Sequence, residues 1–148
     1  MAKTALFAGS FDPYTIGHHS LVERALQMFD KVVVAVGYNR GKGVAATVEE
    51  RVAAIAAVYR GDSRVEVRSY SCLTMDFARE VGADVLLRGV RNIKDFEYER
   101  ELADVNRQMG GIDTVLLVSE PGYASVSSSV VRELMRYGKD VSGLLPGK

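Results

Sequence analysis

The sequence predicts an α/β fold, namely a Rossmann-like, doubly wound sheet of about five parallel strands with helices on both faces. Short apolar runs alternate with segments of helical periodicity, which is typical of a parallel sheet covered by crossover helices. The predicted strands are residues 4–8, 32–36, 65–70, 85–87 and 114–118. Because 47% of the 148 residues are hydrophobic, the chain can bury one sizeable core, and we expect a single domain over residues 1–148.

The first two helices are predicted from periodicity and from a start signal. After the first strand, apolar residues recur at spacings of three and four, as on the buried stripe of a helix: Leu21, Val22, Ala25, Leu26 and Phe29. Thr47 and Glu50 have the spacing of a capping box, in which each side chain bonds the other residue's free backbone amide. The second helix should therefore begin near Thr47 and run to about residue 59.

Two more helices, one long and one short, are predicted in the second half of the chain. A long helix is predicted from residue 95 to about residue 109, where Gly110 and Gly111 end it. Four of its apolar residues are expected to face the core: Phe96, Leu102, Val105 and Met109. The final helix should begin near Ser128 and end before Gly138.

Composition excludes several classes of function. Nineteen Lys and Arg balance nineteen Asp and Glu, so a nucleic-acid partner, which usually requires a strongly basic face, is not expected. Cys72 is the only cysteine, which excludes an internal disulfide and a zinc site built from several thiolates. No apolar run approaches the roughly 20 residues of a membrane span, and the N-terminus lacks signal-peptide features. We therefore expect a cytoplasmic protein with no membrane partner.

The string GSFDPYTIGH carries the sharpest functional signal. It runs from Gly9 to His18, directly between the first strand and the first helix. An open parallel sheet binds its ligand beyond the carboxyl ends of its strands, and the free amides of the following helix favour an anion. His18 could donate a hydrogen bond to a phosphoryl oxygen there. The alternative is an ordinary turn whose histidine is only a partial helix cap.

Basic residues follow two further strands. Arg40 and Lys42 come after the second strand, where a solvated loop is the alternative to phosphate binding. Arg88 and Arg91 come at the end of the fourth strand, and their planar guanidinium groups suit phosphate oxygens. Convergence of these cations with His18 at one edge of the sheet favours a phosphate site over surface ion pairs.

Two other segments are ambiguous from the residues alone. Glu99 lies near the start of the long helix, where acidic residues commonly complement the helix dipole. The serine run before the last helix could supply an N-cap, from Ser127 or Ser128. Hydroxyls and amides at a helix start also suit a nucleotide phosphate, so both interpretations stay open.

These segments resemble known proteins at two levels, that of a superfamily and that of one family within it. Thr15-Ile16-Gly17-His18 resembles the Thr-x-Gly-His signature of the nucleotidyltransferase superfamily. More of the chain resembles the phosphopantetheine adenylyltransferase family, through GSFDPYTIGH, TVEERV, LLRGVRNIKDFEYE and SVSSSVVRE in that order and spacing. This resemblance implies transfer of AMP from ATP to 4'-phosphopantetheine, with release of pyrophosphate.

The resemblance also implies binding residues. Those for ATP would be Ser10, Phe11, His18, Gly89, Val90, Arg91, Glu99, Tyr123, Ala124, Ser125, Val126, Ser127, Ser128 and Ser129. Those for the acceptor would be Ser10, Lys42, Thr74 and Arg88. It further implies use of Mg²⁺, a homohexamer, and coenzyme A as a feedback inhibitor. No metal-ligating residue is predicted.

In the mechanism that we expect, the acceptor phosphate attacks the α-phosphorus of ATP in line, and no general base is required. His18, Lys42 and Arg91 are the predicted catalytic residues, with His18 at the oxygens around the α-phosphorus. Two alternatives remain at this point. One is a related transferase that acts on nicotinamide mononucleotide or an alcohol phosphate, and the other is a non-catalytic module that senses ATP or coenzyme A.

Overall fold

The computed structural model describes residues 2–38 and 46–147. Its sheet contains five strands: β1 (Thr4–Gly9), β2 (Lys31–Gly37), β3 (Val65–Tyr70), β4 (Val85–Val90) and β5 (Asp113–Val118). Every strand pair is parallel, in the order β3-β2-β1-β4-β5. The predicted α/β fold is confirmed, and the main difference is that β4 continues past residue 87 and carries Arg88 inside the strand.

Within the described residues, five α-helices accompany the strands: α1 (Ile16–Ala25), α2 (Val48–Val58), α3 (Thr74–Val81), α4 (Ile93–Gly110) and α5 (Ser128–Arg136). Both residues of the predicted capping box on α2, Thr47 and Glu50, make their reciprocal bonds. Helix α3 is missing from the sequence-based prediction because Leu73, at its N-cap, supplies no side-chain hydrogen bond and so no start signal. Within the two described ranges, no helix is both long and apolar enough to cross a bilayer.

The core lies on both faces of the sheet, as a doubly wound fold requires. Successive strand residues point to opposite faces, so Phe7 packs with α1 and α2 while its neighbour Leu6 packs with α3. On the first face, Val22 of α1 and Ile55 of α2 are fully buried. On the second face, Phe77 of α3 is buried and stacks on Tyr70. The sheet is therefore held rigidly from both sides.

Strand order places a crevice at the centre of the sheet. From β1 the chain builds outward through β2 to β3, and α3 then returns it to β4, on the other side of β1. Loops after β1 and β4 therefore leave the sheet in opposite directions. In open α/β sheets, ligands bind in the crevice at such a switch point, outside the carboxyl ends of the strands.

Helix α4 departs from the prediction for its side chains. Phe96, Leu102, Val105 and Met109 were expected to face the core, but they are 46%, 36%, 50% and 74% exposed. That expectation is wrong within the single chain, where Glu99 is the buried residue of this helix. Leu102, Val105 and Met109 lie on one flank of the helix and Phe96 lies on the opposite flank, so the four residues do not form a single buried stripe.

Candidate active site

A cavity of about 360 Å³ lies at the switch point. It brings together most of the residues predicted to bind ATP, from the loop after β1, from β4, from α4 and from the start of α5: Ser10, Phe11, His18, Gly89, Val90, Arg91, Glu99, Tyr123, Val126, Ser127 and Ser128. Arg88, predicted for the acceptor, lines it as well. Ala124, Ser125 and Ser129 do not line the cavity and are exposed. Lys42 lies outside the described residues.

The loop after β1 is shaped by its own side chains. Thr15 is the N-cap of α1, and its hydroxyl accepts from the backbone amide of His18 while the His18 ring accepts from the backbone amide of Thr15. His18 is therefore a full partner in a capping box, as well as a cavity residue. The Phe11 ring folds back over Gly9, where an added Cβ would lie 3.1 Å from the ring. A larger residue at Gly9 would displace that ring from the cavity wall.

The capping box determines which tautomer His18 adopts. Its Nδ1 lies 2.9 Å from the backbone nitrogen of Thr15, a group that can only donate. Nδ1 is therefore unprotonated, and in the neutral ring the proton is on Nε2. Nε2–H is thus the group of this ring that can donate to a ligand oxygen.

The surroundings keep His18 neutral. Burial, followed by the charges of Arg88 and Arg91, lowers the pKa of the imidazole from 6.5 to about 3. Near neutral pH the ring is consequently a hydrogen-bond donor without a charge. It can stabilise charge that develops on a phosphoryl oxygen without first releasing or taking up a proton.

Arg88 is held by one carboxylate and one carbonyl. Its Nε donates to both oxygens of Glu99, at 2.9 and 2.8 Å, and one terminal nitrogen donates to the Ala8 carbonyl at 2.6 Å. The Glu99 side chain is 6% exposed and that of Arg88 is 33% exposed. In this structure Glu99 is therefore bonded to Arg88, and it fixes that guanidinium at the cavity wall.

Two further arginines in the cavity are paired in the same way. Arg91 donates from Nε to Asp95 at 3.0 Å. These hydrogen bonds lower the pKa of the Asp95 carboxyl despite its partial burial, which acts in the opposite direction. Arg24 lies 3.7 Å from Glu120 and donates to the Val118 carbonyl. Each pair leaves guanidinium N–H groups for an anionic ligand, since arginine has five.

The serine segment supplies both a cap and a contact with the first loop. Ser127 is the N-cap of α5 and accepts from the Val130 amide, as one of the two sequence-based interpretations predicted. Ser128 donates to the Pro13 carbonyl at 2.7 Å. The amino end of α5 thereby faces the cavity beside the first loop, so capping and phosphate binding are compatible here.

A second cavity, of about 280 Å³, adjoins the first through shared residues that include Gly9, Arg88 and Glu99. It contains Thr74, the remaining residue predicted for the acceptor. The Thr74 hydroxyl is 2.9 Å from that of Tyr70. Most of the other wall is apolar, from Leu6, Leu73, Met75, Leu86, Leu102, Ala103 and Val105.

Sequence reasoning missed two residues that support the first loop. Arg51 is 4% exposed, and its guanidinium donates to the carbonyls of Ser10, Gly37, Ala46 and Thr47. Arg132 donates to the Asp12 carbonyl at 2.6 Å. A signal for Arg51 existed, since it stands four residues before Ile55 on the buried stripe of α2, where a charged residue needs a reason.

A magnesium ion held by the protein itself does not fit this cavity. Mg²⁺ prefers six oxygen ligands in octahedral geometry. In residues 2–38 and 46–147, no three His, Cys, Asp or Glu side chains converge as such a site would need. The carboxylates of the cavity are already engaged, each with one of the arginines described above.

A parallel sheet that gathers arginines, free helix amides and a histidine donor at its switch point is the arrangement expected of a nucleotidyltransferase. The family model of the cytidylyltransferase-like proteins matches residues 6–134. A bifunctional NMN adenylyltransferase/ADP ribose pyrophosphatase from Francisella tularensis, solved with AMP and a manganese ion, has a TM-score of 0.72 at 13% identity over 100% of this chain and 45% of its own. A lipopolysaccharide core biosynthesis protein from Thermoplasma volcanium has a TM-score of 0.60 at 22% identity, over 81% of this chain and 98% of its own.

Sequence relatives narrow the assignment. A phosphopantetheine adenylyltransferase of Bacteroides fragilis is 49% identical over 97% of this chain and 96% of its own length. Those of Porphyromonas gingivalis and Oenococcus oeni are 50% and 43% identical, each over 96% of this chain and over 93% and 90% of their own lengths. The chain belongs to the phosphopantetheine adenylyltransferase family.

Proposed function

We propose that this protein transfers AMP from ATP to 4'-phosphopantetheine, giving dephospho-coenzyme A and pyrophosphate. The observation that carries the proposal is the shared wall of the two cavities. One cavity presents His18 and arginines for a nucleotide, and the other presents an apolar wall for a longer acceptor. Arg88 lies between them, where a phosphate of the acceptor would meet the α-phosphate of ATP.

In the proposed reaction, an acceptor phosphate oxygen attacks the α-phosphorus of ATP. A new P–O bond forms as the bond between the α-phosphorus and the bridging oxygen breaks, and pyrophosphate leaves with that oxygen. The attacking phosphate is already an anion near neutral pH, so no residue has to remove a proton. His18 Nε2–H donates to an α-phosphoryl oxygen, where negative charge accumulates in the transition state.

The arginines align the two phosphates. Arg91 and the amino end of α5 at Ser128 would hold the phosphates of ATP, and Arg88 would hold that of the acceptor. Lys42 is proposed to contact the acceptor phosphate by family resemblance alone. The apolar arm of pantetheine would lie along the second cavity, beside Thr74. Alignment of this kind converts a bimolecular reaction into an effectively intramolecular one.

Magnesium is proposed to enter with ATP, bound chiefly by its phosphate oxygens, since the cavity carboxylates are paired with arginines. It would supply neutralisation of charge on the leaving pyrophosphate. We also propose that coenzyme A inhibits by occupying both cavities, because it carries an adenine nucleotide and a pantetheine arm. A cytoplasmic location is proposed from the single, exposed Cys72, which suits a reducing compartment.

The decisive assay is pyrophosphate release from ATP and 4'-phosphopantetheine. Nicotinamide mononucleotide and glycerol phosphate serve as competing acceptors, and ATP alone serves as the blank. The proposal requires release with phosphopantetheine at a kcat/KM at least about 100-fold above the other acceptors. Binding of ATP without release from any acceptor would instead identify a nucleotide sensor, and preference for nicotinamide mononucleotide would identify the other transferase.

A homo-oligomer, and by resemblance a hexamer, is proposed as the assembled form. Support comes from α4, whose apolar residues Phe96 and Met109 are exposed on different sides of the helix and could each be covered by another copy. Light scattering after gel filtration should give a mass several times 16.2 kDa. Met109→Glu should lower that mass, and a monomeric wild type at about 10 µM would contradict the proposal.

A further inference from the structure

The His18 ring is touched by three aromatic rings, and one of them lies on its face. Tyr14 is stacked on it, with centroids 5.3 Å apart and planes 21° apart. Phe11 meets it edge-on at 5.0 Å, and Phe7 is tilted at 6.0 Å. The orientation of the imidazole therefore depends on where the Tyr14 ring lies, as well as on the bond from Thr15.

Tyr14 is in turn held by a chain of hydrogen bonds. Its hydroxyl is 2.5 Å from that of Tyr59, and both residues are buried. The Tyr59 hydroxyl also lies 3.0 Å from Nδ1 of His19, whose Nε2 is 3.4 Å from Glu23. Tyr59 is the residue at which α2 ends, whereas the other members belong to α1 or the loop before it. The chain thus ties the end of α2 to Tyr14, in the loop before α1, and so to the ring that stacks on His18.

The order of donors in this chain follows from its end. Nδ1 of His19 can accept from the Tyr59 hydroxyl, which leaves the Tyr59 oxygen to accept from Tyr14. Each hydroxyl proton has a partner in this arrangement. Burial raises the pKa of both tyrosines, so neither hydroxyl ionises near neutral pH.

We infer that Tyr14 is a positioning residue for the His18 imidazole, and that Tyr59 sets the position of Tyr14 through the paired hydroxyls. The inference rests on the proposed function for its kinetic consequence only. Tyr14 does not have to contact ATP or the acceptor. It acts by keeping Nε2–H of His18 directed into the cavity.

The paired hydroxyls predict different outcomes for Tyr59→Phe, Tyr14→Phe and the double variant, which remove one or both hydroxyls and keep both rings. Tyr59→Phe removes the acceptor of the Tyr14 hydroxyl and leaves that hydroxyl buried without a partner, which is costly. The Tyr14 ring should then shift to find a partner, and the His18 ring should shift with it. Removing both hydroxyls leaves nothing unsatisfied between the rings, so the double variant Tyr14→Phe/Tyr59→Phe should recover.

Kinetics and spectroscopy test this on the whole chain. We expect Tyr59→Phe to lower kcat about fivefold with both KM values within about twofold of wild type. Tyr14→Phe and the double variant should each stay within about twofold of wild-type kcat. In ¹⁵N-detected histidine spectra, the His18 ring signals should move in Tyr59→Phe and return in the double variant.

Ile55→Val, in the core one turn before Tyr59, is the matched control: it lowers the unfolding midpoint without touching the hydroxyls. An unchanged kcat in Tyr59→Phe, or a double variant slower than either single one, would overturn the inference. So would identical His18 signals in all variants. Because those signals are recorded without substrates, they separate failure of this inference from failure of the proposed reaction, in which wild type itself would release no pyrophosphate.

Discussion

Replacing His18 with Ala tests the arrangement of the site most directly. The substitution removes Nε2–H from the cavity and leaves the arginine pairs Arg88–Glu99 and Arg91–Asp95 in place. Since the arginines would still attract ATP, its KM should stay within about threefold of wild type. The loss should fall on kcat.

The expected size follows from what the ring contributes. It is a neutral donor held in place before the reaction, and removing one such donor from a transition state typically lowers kcat by about 10² to 10³. The charge on the ring cannot add to this, because its pKa of about 3 leaves it neutral at the pH of the assay. The change also removes the reciprocal bond of the capping box, which costs about 1 kcal/mol of unfolding free energy.

A control separates the two effects. Glu50 occupies the same position in the capping box of α2 that His18 occupies in that of α1, and it is exposed. Glu50→Ala should therefore lower the unfolding midpoint similarly while leaving pyrophosphate release within about twofold of wild type. A His18→Ala protein that turned over at near the wild-type rate would show that this ring does not stabilise the transition state. Equal kinetic losses in both variants would assign the effect to the cap.

Three further results are expected. When the pH is lowered from 7 to 4, the unfolding free energy of wild type should fall by up to about 3 kcal/mol more than that of His18→Gln. The reason is that the unfolded histidine takes up a proton below its pKa of 6.5, whereas the folded one does so only near 3. Equal pH slopes would contradict this. Glu99→Gln should lower the free energy of unfolding in urea by about 1–2 kcal/mol, because it removes the charge that faces a partly buried arginine. Glu101 is exposed, so Glu101→Gln should lower this free energy by less than about 0.5 kcal/mol. Arg51→Lys should lower the midpoint of thermal unfolding by several degrees, because one ammonium cannot reach four carbonyls. Arg60 is exposed, so Arg60→Lys should leave the midpoint unchanged, and similar midpoints for the two variants would refute this role of Arg51.

Features that depend on short stretches of chain were predictable. The capping pair Thr47–Glu50 and the cap at Ser127 form within a few residues, so their spacing alone identifies them. Central parallel strands bury both faces and therefore read as apolar runs, as β1 and β2 do, and the edge strands β3 and β5 were also predicted. Helix α3 was not predicted, because its N-cap residue, Leu73, is not a polar capping residue.

The candidate site was predictable only in part. Ligand binding at the carboxyl ends of the strands is a property of the fold class, so His18, Arg88 and Arg91 could be grouped before their positions were known. The side chains that pair with these residues could not be predicted from the sequence. Glu99 was predicted as an ATP contact, and its bond to Arg88 depends on how α4 packs on β4. The predictions for Lys42 and for magnesium remain predictions.

The sequence by itself determined the fold class, the caps of α2 and α5, and the family, because each of these depends on residue types at short, regular spacings. Tertiary structure alone decided which distant groups meet. Arg88 reaches the Ala8 carbonyl across 80 residues only because β4 lies beside β1. The low pKa of His18 arises from burial and from two arginines that strand order brings near it. The sequence predicted that four apolar residues of α4 face the core, but packing buries Glu99 instead and leaves those four exposed.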